Sequence, residues 1–258
     1  LNPISMKNEE IPVSKFIKRN GEPFLYQIKT QSGKKVKTTG CHPVMVFKDG
    51  KIASSLVKDL KENDLIATPR IVFTSSCSED KDFARLFGYI AGDGYIRKER
   101  IEFVNQDKEI LEDYKSIILK LFDINPKYEK NEKNITRIMY YDKKFINRVI
   151  NLIKNDNDIY TTNYKYIPNY FLSKDLETIS NLLAGLYDTD GSIRKDIGII
   201  EFCSKNEKLV DQIQRLLLRF NIISKKKERL CRATNTEKKI VRKYYYIYIN
   251  TLLNLCYI

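Results

Sequence analysis

Leu86-Phe87-Gly88-Tyr89-Ile90-Ala91-Gly92-Asp93-Gly94-Tyr95-Ile96-Arg97-Lys98 returns later in the chain as Leu183-Ala184-Gly185-Leu186-Tyr187-Asp188-Thr189-Asp190-Gly191-Ser192-Ile193-Arg194-Lys195. The likeness continues outward. Ile101-Glu102-Phe103 matches Ile200-Glu201-Phe202, and Leu121-Phe122-Asp123-Ile124 matches Arg219-Phe220-Asn221-Ile222. Each copy reads as helix, strand, strand, helix, then further strand, so the repeat predicts an α+β molecule with an internal pseudo-twofold axis.

Ahead of Asp93, the residues Phe83, Leu86, Phe87 and Ile90 fall on one helical face, as do Ile179, Leu182, Leu183 and Leu186 ahead of Asp190. Ser173 reads as the N-cap of the second helix. Gly88 with Gly92, and Gly185 with Thr189, are small residues one turn apart, which lets two helix backbones touch. Gly94 and Gly191 read as left-handed C-caps. An aspartate at a helix C-terminus opposes the helix dipole by about 0.3–1 kcal/mol, and two of them on packed helices repel each other. A single Asp-Gly reads equally well as a helix stop; two in matched contexts point to a shared divalent cation, for which hard oxygen ligands suit Mg²⁺.

These two segments resemble the motif of LAGLIDADG homing endonucleases in their single-chain, two-repeat form, over about residues 80–258. The resemblance implies two αββαββ-type repeats with saddle-shaped antiparallel sheets over double-stranded DNA. It places the metal-binding acidic residues on Asp93 and Asp190, helped by the carbonyls of Gly92 and Thr189, with Mg²⁺ (Mn²⁺ able to substitute) driving phosphodiester hydrolysis. Ala91 departs from the usual acidic sixth position, which Asp188 keeps; that position is not a metal ligand. The family's basic residue near the attacked phosphate maps onto Lys165, before Ile167-Pro168, with a lysine on a solvated linker as the alternative reading. Its counterpart in the second repeat would lie beyond Ile258, and the last helices of that repeat look missing or very short.

Composition agrees with a nucleic-acid partner. The chain has 258 residues, with 46 Lys and Arg against 33 Asp and Glu, a formal net charge of +13. A merely basic protein is the bland alternative. Arg97, Lys98, Arg194 and Lys195 stand at matched positions on the expected saddle, and Glu102 and Glu201 alternate against apolar neighbours so as to face the DNA. Residues 224–243 are dense in Lys and Arg, among them Lys225, Lys227, Arg229 and Arg242, and Tyr244, Tyr246 and Tyr248 alternate beyond them, as a β-ribbon in a major groove requires. One histidine, His42, excludes two-histidine metal sites. Five scattered cysteines without a C-x-x-C pair argue against structural zinc and for a reducing, intracellular (cytoplasmic) setting. No apolar run reaches the length of a membrane span.

Residues 1–70 read differently, as a small β-rich unit, followed by a linker at 71–80, a first repeat at 81–172 and a second at 173–258. Gly33 to Phe47, with Thr39-Gly40-Cys41-His42-Pro43, resembles the Hint (protein-splicing) block that carries Thr-x-x-His, and Leu60 to Arg70 continues the pattern. The resemblance implies that Thr39 and His42 are a remnant of a splicing site. Splicing needs a Cys or Ser at residue one and a C-terminal Asn; the chain begins Leu1-Asn2-Pro3 and ends Cys256-Tyr257-Ile258. The expectation is a monomeric site-specific endonuclease. A non-cleaving, maturase-like DNA- or RNA-binding protein and an interior intein fragment are the alternatives.

Overall fold

The computed structural model describes residues 12–18, 20–68, 77–132, 135–154, 165–232 and 241–250. The expected linker at 71–76, Lys238 and Lys239 of the basic stretch, both chain ends and Cys256 lie outside the described residues.

Two halves follow the same plan. The first runs α1 (Lys81–Asp93), β6 (Gly94–Ile96), β7 (Ile101–Asn105), α2 (Lys108–Phe122), β8 (Tyr128–Glu132), β9 (Ile135–Tyr140) and α3 (Lys143–Lys154). After a short α4 (Asn169–Leu172), the second runs α5 (Leu176–Asp190), β10 (Gly191–Arg194), β11 (Ile199–Ser204), α6 (Glu207–Leu217), β12 (Lys225–Arg232) and β13 (Val241–Asn250). The two antiparallel sheets have the orders β6-β7-β9-β8 and β10-β11-β13-β12, which are the same order. Registers agree too: Gly94 faces Phe103 as Gly191 faces Phe202, and Ile101 faces Tyr140 as Ile200 faces Ile249. Asp123 ends α2 and Asn221 ends the 3-10 turn Leu218–Phe220 that follows α6, with φ of 55° and 59°. Asp and Asn tolerate that left-handed turn better than other side chains.

Alternation along β7 and β11 sends Ile101 and Phe103, and Ile200 and Phe202, toward the helices. Phe103 stacks on Tyr114 of α2 with ring centroids 4.1 Å apart. The helices start on side-chain caps: Asp80 accepts from the Phe83 amide and Asp175 from the Thr178 amide. The N-cap of α5 is therefore Asp175, and Ser173 instead closes α4, because the chain turns once at 169–172 before the long helix begins.

The halves differ beside Phe122 and Phe220. In the first, Phe145 of α3 sits 4.9 Å from the Phe122 ring and 5.8 Å from Tyr140. In the second, Phe220 and Ile249 hold the matching positions and, with Leu183, Tyr187 and Ile193, line an open apolar cavity of about 660 Å³ among the described residues.

The N-terminal unit is a hairpin, β1 (Tyr26–Lys29) with β2 (Lys35–Thr38), and a three-stranded sheet of β3 (Pro43–Lys48), β4 (Lys51–Leu56) and β5 (Leu65–Ile66) in the order β4-β3-β5. The turn Asp49-Gly50 has φ of 51° and 73°, as a two-residue hairpin requires. The unit docks on the outer edge of the second sheet. The Ser32 carbonyl accepts from the Lys226 amide at 2.8 Å and from Gln214 Nε2 at 3.0 Å. Lys35 donates to Glu207 at 2.7 Å and to Glu228 at 3.0 Å. Gly33, at φ +85°, leaves no room for a side chain: a Cβ would stand 2.5 Å from the Lys226 carbonyl oxygen. Gly33→Val is accordingly expected to undock the hairpin without unfolding the helical halves, so that limited proteolysis trims the first 68 residues at least about tenfold faster while the rest persists.

Candidate functional site

Helices α1 and α5 cross at the centre with their backbones in contact. A Cβ on Gly88 would lie 2.3 Å from the Leu182 carbonyl oxygen, one on Gly185 2.3 Å from that of Arg85, and one on Gly92 1.8 Å from Thr189 Oγ1. Thr189 is tolerated opposite Gly92 because its hydroxyl turns back to donate to the carbonyls of Leu186 (2.9 Å) and Gly185 (3.1 Å). The close approach sets the two last residues, Asp93 and Asp190, beside each other.

Each helix stops at its glycine, though not by the left-handed cap that the Asp-Gly pairs predicted. Gly94 (φ −83°, ψ 154°) and Gly191 (φ −86°, ψ 158°) are extended and lead straight into β6 and β10. Glycine is needed there for space, since a Cβ would fall 2.4 Å from the Ile90 carbonyl oxygen or 2.3 Å from that of Tyr187. The amides of Gly94 and Gly191 donate to those same carbonyls. The carbonyls of Gly92 and Thr189 thus lie beyond the last helical bond, at the negative end of each dipole.

Burial pushes the Asp93 carboxyl above its usual range, while the Lys165 ammonium and a 2.8 Å hydrogen bond donated by Asn105 Nδ2 pull it back. Burial pushes Asp190 up to about 6; Lys165 opposes this and Asp93 adds to it. Lys165 is itself lowered by burial and held up by Asp190 and Asp93 together. The structure therefore brings one lysine and two aspartates, taken from three separate parts of the sequence, into one electrostatic unit. Two carboxylates with neighbouring carbonyls form a hard oxygen donor set that suits Mg²⁺ or Mn²⁺, which bind through one or two carboxylates and complete their shell with waters and phosphates. Among the described residues no cluster of three His, Cys, Asp or Glu offers a rival cation site.

Asn105 was not foreseen. Its signal was present: by alternation it shares the helix-facing side of β7 with Ile101 and Phe103, where a polar residue needs a partner. The second repeat has Ser204 there, whose Oγ accepts from the Asn206 amide instead. Arg85 was also missed. Its Nε donates to Asp113 at 2.6 Å and its Nη2 to Asp188 at 2.9 Å, and Tyr89 OH donates to Asp113 at 2.7 Å. Asp188, the acidic sixth position, thus ties α5 to α1 through Arg85.

Arg97 and Lys98 are exposed on the turn after β6, Arg194 at the end of β10 and Lys195 on the turn beyond it. Lys225, Lys227 and Arg229 are exposed on β12, and Arg242 on β13. Arg229 lies over both Tyr246 (5.3 Å) and Tyr248 (5.4 Å), whose rings stack 6.0 Å apart. Glu201 is partly buried and pairs with Arg194 at 3.6 Å. Glu102 takes the expected face but is only 6% exposed, enclosed by arginines. Thr39 and His42 sit on a turn of the N-terminal unit, where the His42 amide donates to the Thr39 carbonyl and Glu22 accepts from the Gly40 amide.

A family model described as the LAGLIDADG-like domain matches residues 80–157 and again 177–256. The chain belongs to the LAGLIDADG-like family. The two LAGLIDADG-like matches begin within one residue of the starts of α1 and α5, so each aspartate ends the first helix of its own copy. Among curated relatives, a replication factor C small subunit of Methanocaldococcus jannaschii is 29% identical over 238 residues, covering 90% of this chain and 12% of that protein. The ATP-dependent DNA helicase Hel308 of the same organism is 27% identical over 252 residues (88% and 19%), and RecA of Mycobacterium bovis is 29% identical over 177 residues (64% and 22%). The chain thus spans less than a quarter of the length of these relatives. Solved structures of similar fold include the homing endonuclease I-DmoI with DNA and Mn, at 14% identity and TM-score 0.46 over 69% of this chain and 93% of that one. Another is full-length DUF199/WhiA from Thermatoga maritima, at 16% identity and TM-score 0.46 over 68% and 52%. Among the described residues no helix is long and apolar enough to cross a membrane.

Proposed function

We propose that this chain is a site-specific DNA endonuclease of the homing type that breaks both strands by metal-dependent phosphodiester hydrolysis, carried on an intein-type element. The observation that carries the reading is the pair of partly buried carboxylates, Asp93 and Asp190, at the ends of two touching helices with Lys165 acting on both. No packing need of the helices explains two buried like charges there.

In this reading Asp93 and Asp190, with the carbonyls of Gly92 and Thr189, would hold divalent ions. When bound, such ions would supply Lewis-acid polarisation of a phosphoryl oxygen and an activated water. Asn105 fixes the rotamer of Asp93 by its 2.8 Å hydrogen bond. Lys165 balances part of the carboxylate charge and offers an ammonium to the charge that grows on the phosphate. The basic sheet faces grip the DNA backbone. Lys165→Met is expected to lower the cleavage rate about 10²- to 10³-fold while duplex affinity changes less than about threefold, measured by single-turnover cleavage beside a binding titration.

The intein-type part of the reading rests on the relatives. A replication factor C small subunit, the ATP-dependent DNA helicase Hel308 and RecA are three differently named proteins, yet this chain matches a minor stretch of each. One segment recurring as a minor stretch of differently named proteins behaves as an insert. Matches covering 88–90% of the chain reach well into the residues ahead of position 80, so the N-terminal unit travels with the endonuclease repeats. That unit leaves Phe47, Ile52 and Leu65 exposed, as a partial Hint domain with Thr39 and His42 as its remnant site would.

The test is incubation of the full chain with a randomised plasmid library and Mg²⁺, followed by sequencing of the ends. Discrete double-strand ends sharing one sequence support the reading. Selective capture of DNA without any cut, in Mg²⁺ or Mn²⁺, favours a binding-only member of the family.

A further inference from the structure

On the outer side of the first sheet, one carboxylate gathers three guanidinium groups. Glu102 Oε1 accepts from Arg100 Nε at 2.6 Å and from Arg97 Nε at 3.2 Å, and its other oxygen lies 3.9 Å from Arg137 Nη1. The Glu102 side chain is 8% exposed, whereas those of Arg97 and Arg137 are 56% and 53% exposed. Two of the arginines are thus held through Nε, which restrains the plane of each guanidinium by a contact that uses no terminal nitrogen. A fork held in that way is preorganised for two parallel acceptors, as on the O6 and N7 edge of guanine in a major groove. A phosphate contact needs no such restraint.

Among the described residues the second sheet lacks the device. Glu201 occupies the matching position but holds one arginine, Arg194, and through a terminal nitrogen, Nη1, at 3.6 Å. The other terminal nitrogen of Arg194 lies 3.9 Å from Asp196. Its fork is occupied from both ends, and the neighbouring surface carries lysines and tyrosines instead.

We propose that Glu102 is a positioning residue that presents Arg97 and Arg100, with Arg137 beside them, as a guanine-reading pair, so that the half-site under the first repeat is selected for guanine and the other half-site is not. This rests on the DNA-endonuclease reading. Arg97 follows Asp93 by four residues of mostly extended chain, about 13 Å, which puts the selected guanines a few base pairs from the cut.

The experiment is selection of a randomised duplex library by the full chain in chelator, followed by sequencing, for the wild type, Glu102→Gln, Arg100→Lys and Glu201→Gln. The wild type should enrich guanine at one or two positions on one side of the site by about tenfold or more. Glu102→Gln should flatten those positions while total affinity falls less than about threefold and the other half-site keeps its preference. Arg100→Lys keeps the charge on an exposed loop and loses the fork, so it should flatten the same positions even if Glu102→Gln folds poorly. Glu201→Gln should leave them unchanged. A discrete wild-type site without guanine, or guanine enrichment that survives both Glu102→Gln and Arg100→Lys, overturns the proposal and leaves the endonuclease reading standing. A wild-type pool with no preferred sequence anywhere overturns both.

Discussion

Asp190→Asn will make the metal-free protein more stable while abolishing cleavage. The Asp190 carboxyl is pushed by burial, and by Asp93 beside it, from 3.8 to about 6. A carboxyl whose pKa is higher folded than unfolded binds protons more tightly in the folded state. Its ionised form therefore destabilises the fold, fully above about pH 6, with the penalty fading as pH falls from 6 toward 4. Asparagine has the shape of the neutral acid and carries no such penalty. In chelator the variant should gain on the order of 2–3 kcal/mol at about pH 8, several degrees in Tm, and the gain should shrink toward zero near pH 4. Thermal unfolding of both proteins across that range checks the sign. A loss of stability at pH 8 would mean that Asp190 is held by favourable partners instead of by burial. Divalent cations should narrow the gap, since they stabilise only the chain that keeps both carboxylates.

Gly185→Ala is expected to be the most damaging single methyl group in the molecule. On an open helix this change stabilises by about 1 kcal/mol. Here the new Cβ would stand 2.3 Å from the Arg85 carbonyl oxygen and 2.9 Å from the Tyr89 amide nitrogen. Both are backbone atoms that no rotamer change can move. The helices must separate, which opens the Phe83–Leu86–Leu182–Leu186 core and pulls Asp93 from Asp190. The expected net loss is about 3 kcal/mol or more, with cleavage falling further than stability alone explains. Gly21→Ala, where nothing lies within 4 Å, is the control and should be neutral within about 0.5 kcal/mol. Equal stability of the two variants would show that the helices do not touch by backbone.

Much of this site was legible in the sequence because it is written twice. The repeat located both helices, their glycines and both terminal aspartates, and the motif resemblance drew Lys165 toward them. What was misread depended on space and not on pattern. Gly94 and Gly191 looked like left-handed caps, since Asp-Gly ends helices that way when the chain turns. Here the strand follows at once, and glycine is required by the carbonyls of Ile90 and Tyr187. Ser173 looked like a cap because the single turn at 169–172 carries no periodic signal of its own. Glu102 was placed on the correct face by alternation, but the arginines that enclose it come from a turn and from β9, and no local pattern announces three cations converging on one carboxylate. Asn105 and Arg85 act across elements distant in sequence, where a single chain gives only the hint of a polar residue in an apolar register.

The most direct test of the two-aspartate centre uses the duplex recovered from the plasmid selection. Wild type, Asp93→Asn and Asp190→Asn are compared on it in Mg²⁺ and in chelator, with binding and cutting of both strands read separately. The account predicts that all three proteins bind it with similar affinity and that only the wild type with Mg²⁺ breaks both strands, at one position. Cutting that persists in chelator or in both variants, or a wild type that binds the site and leaves it intact in Mg²⁺ and Mn²⁺, would contradict it.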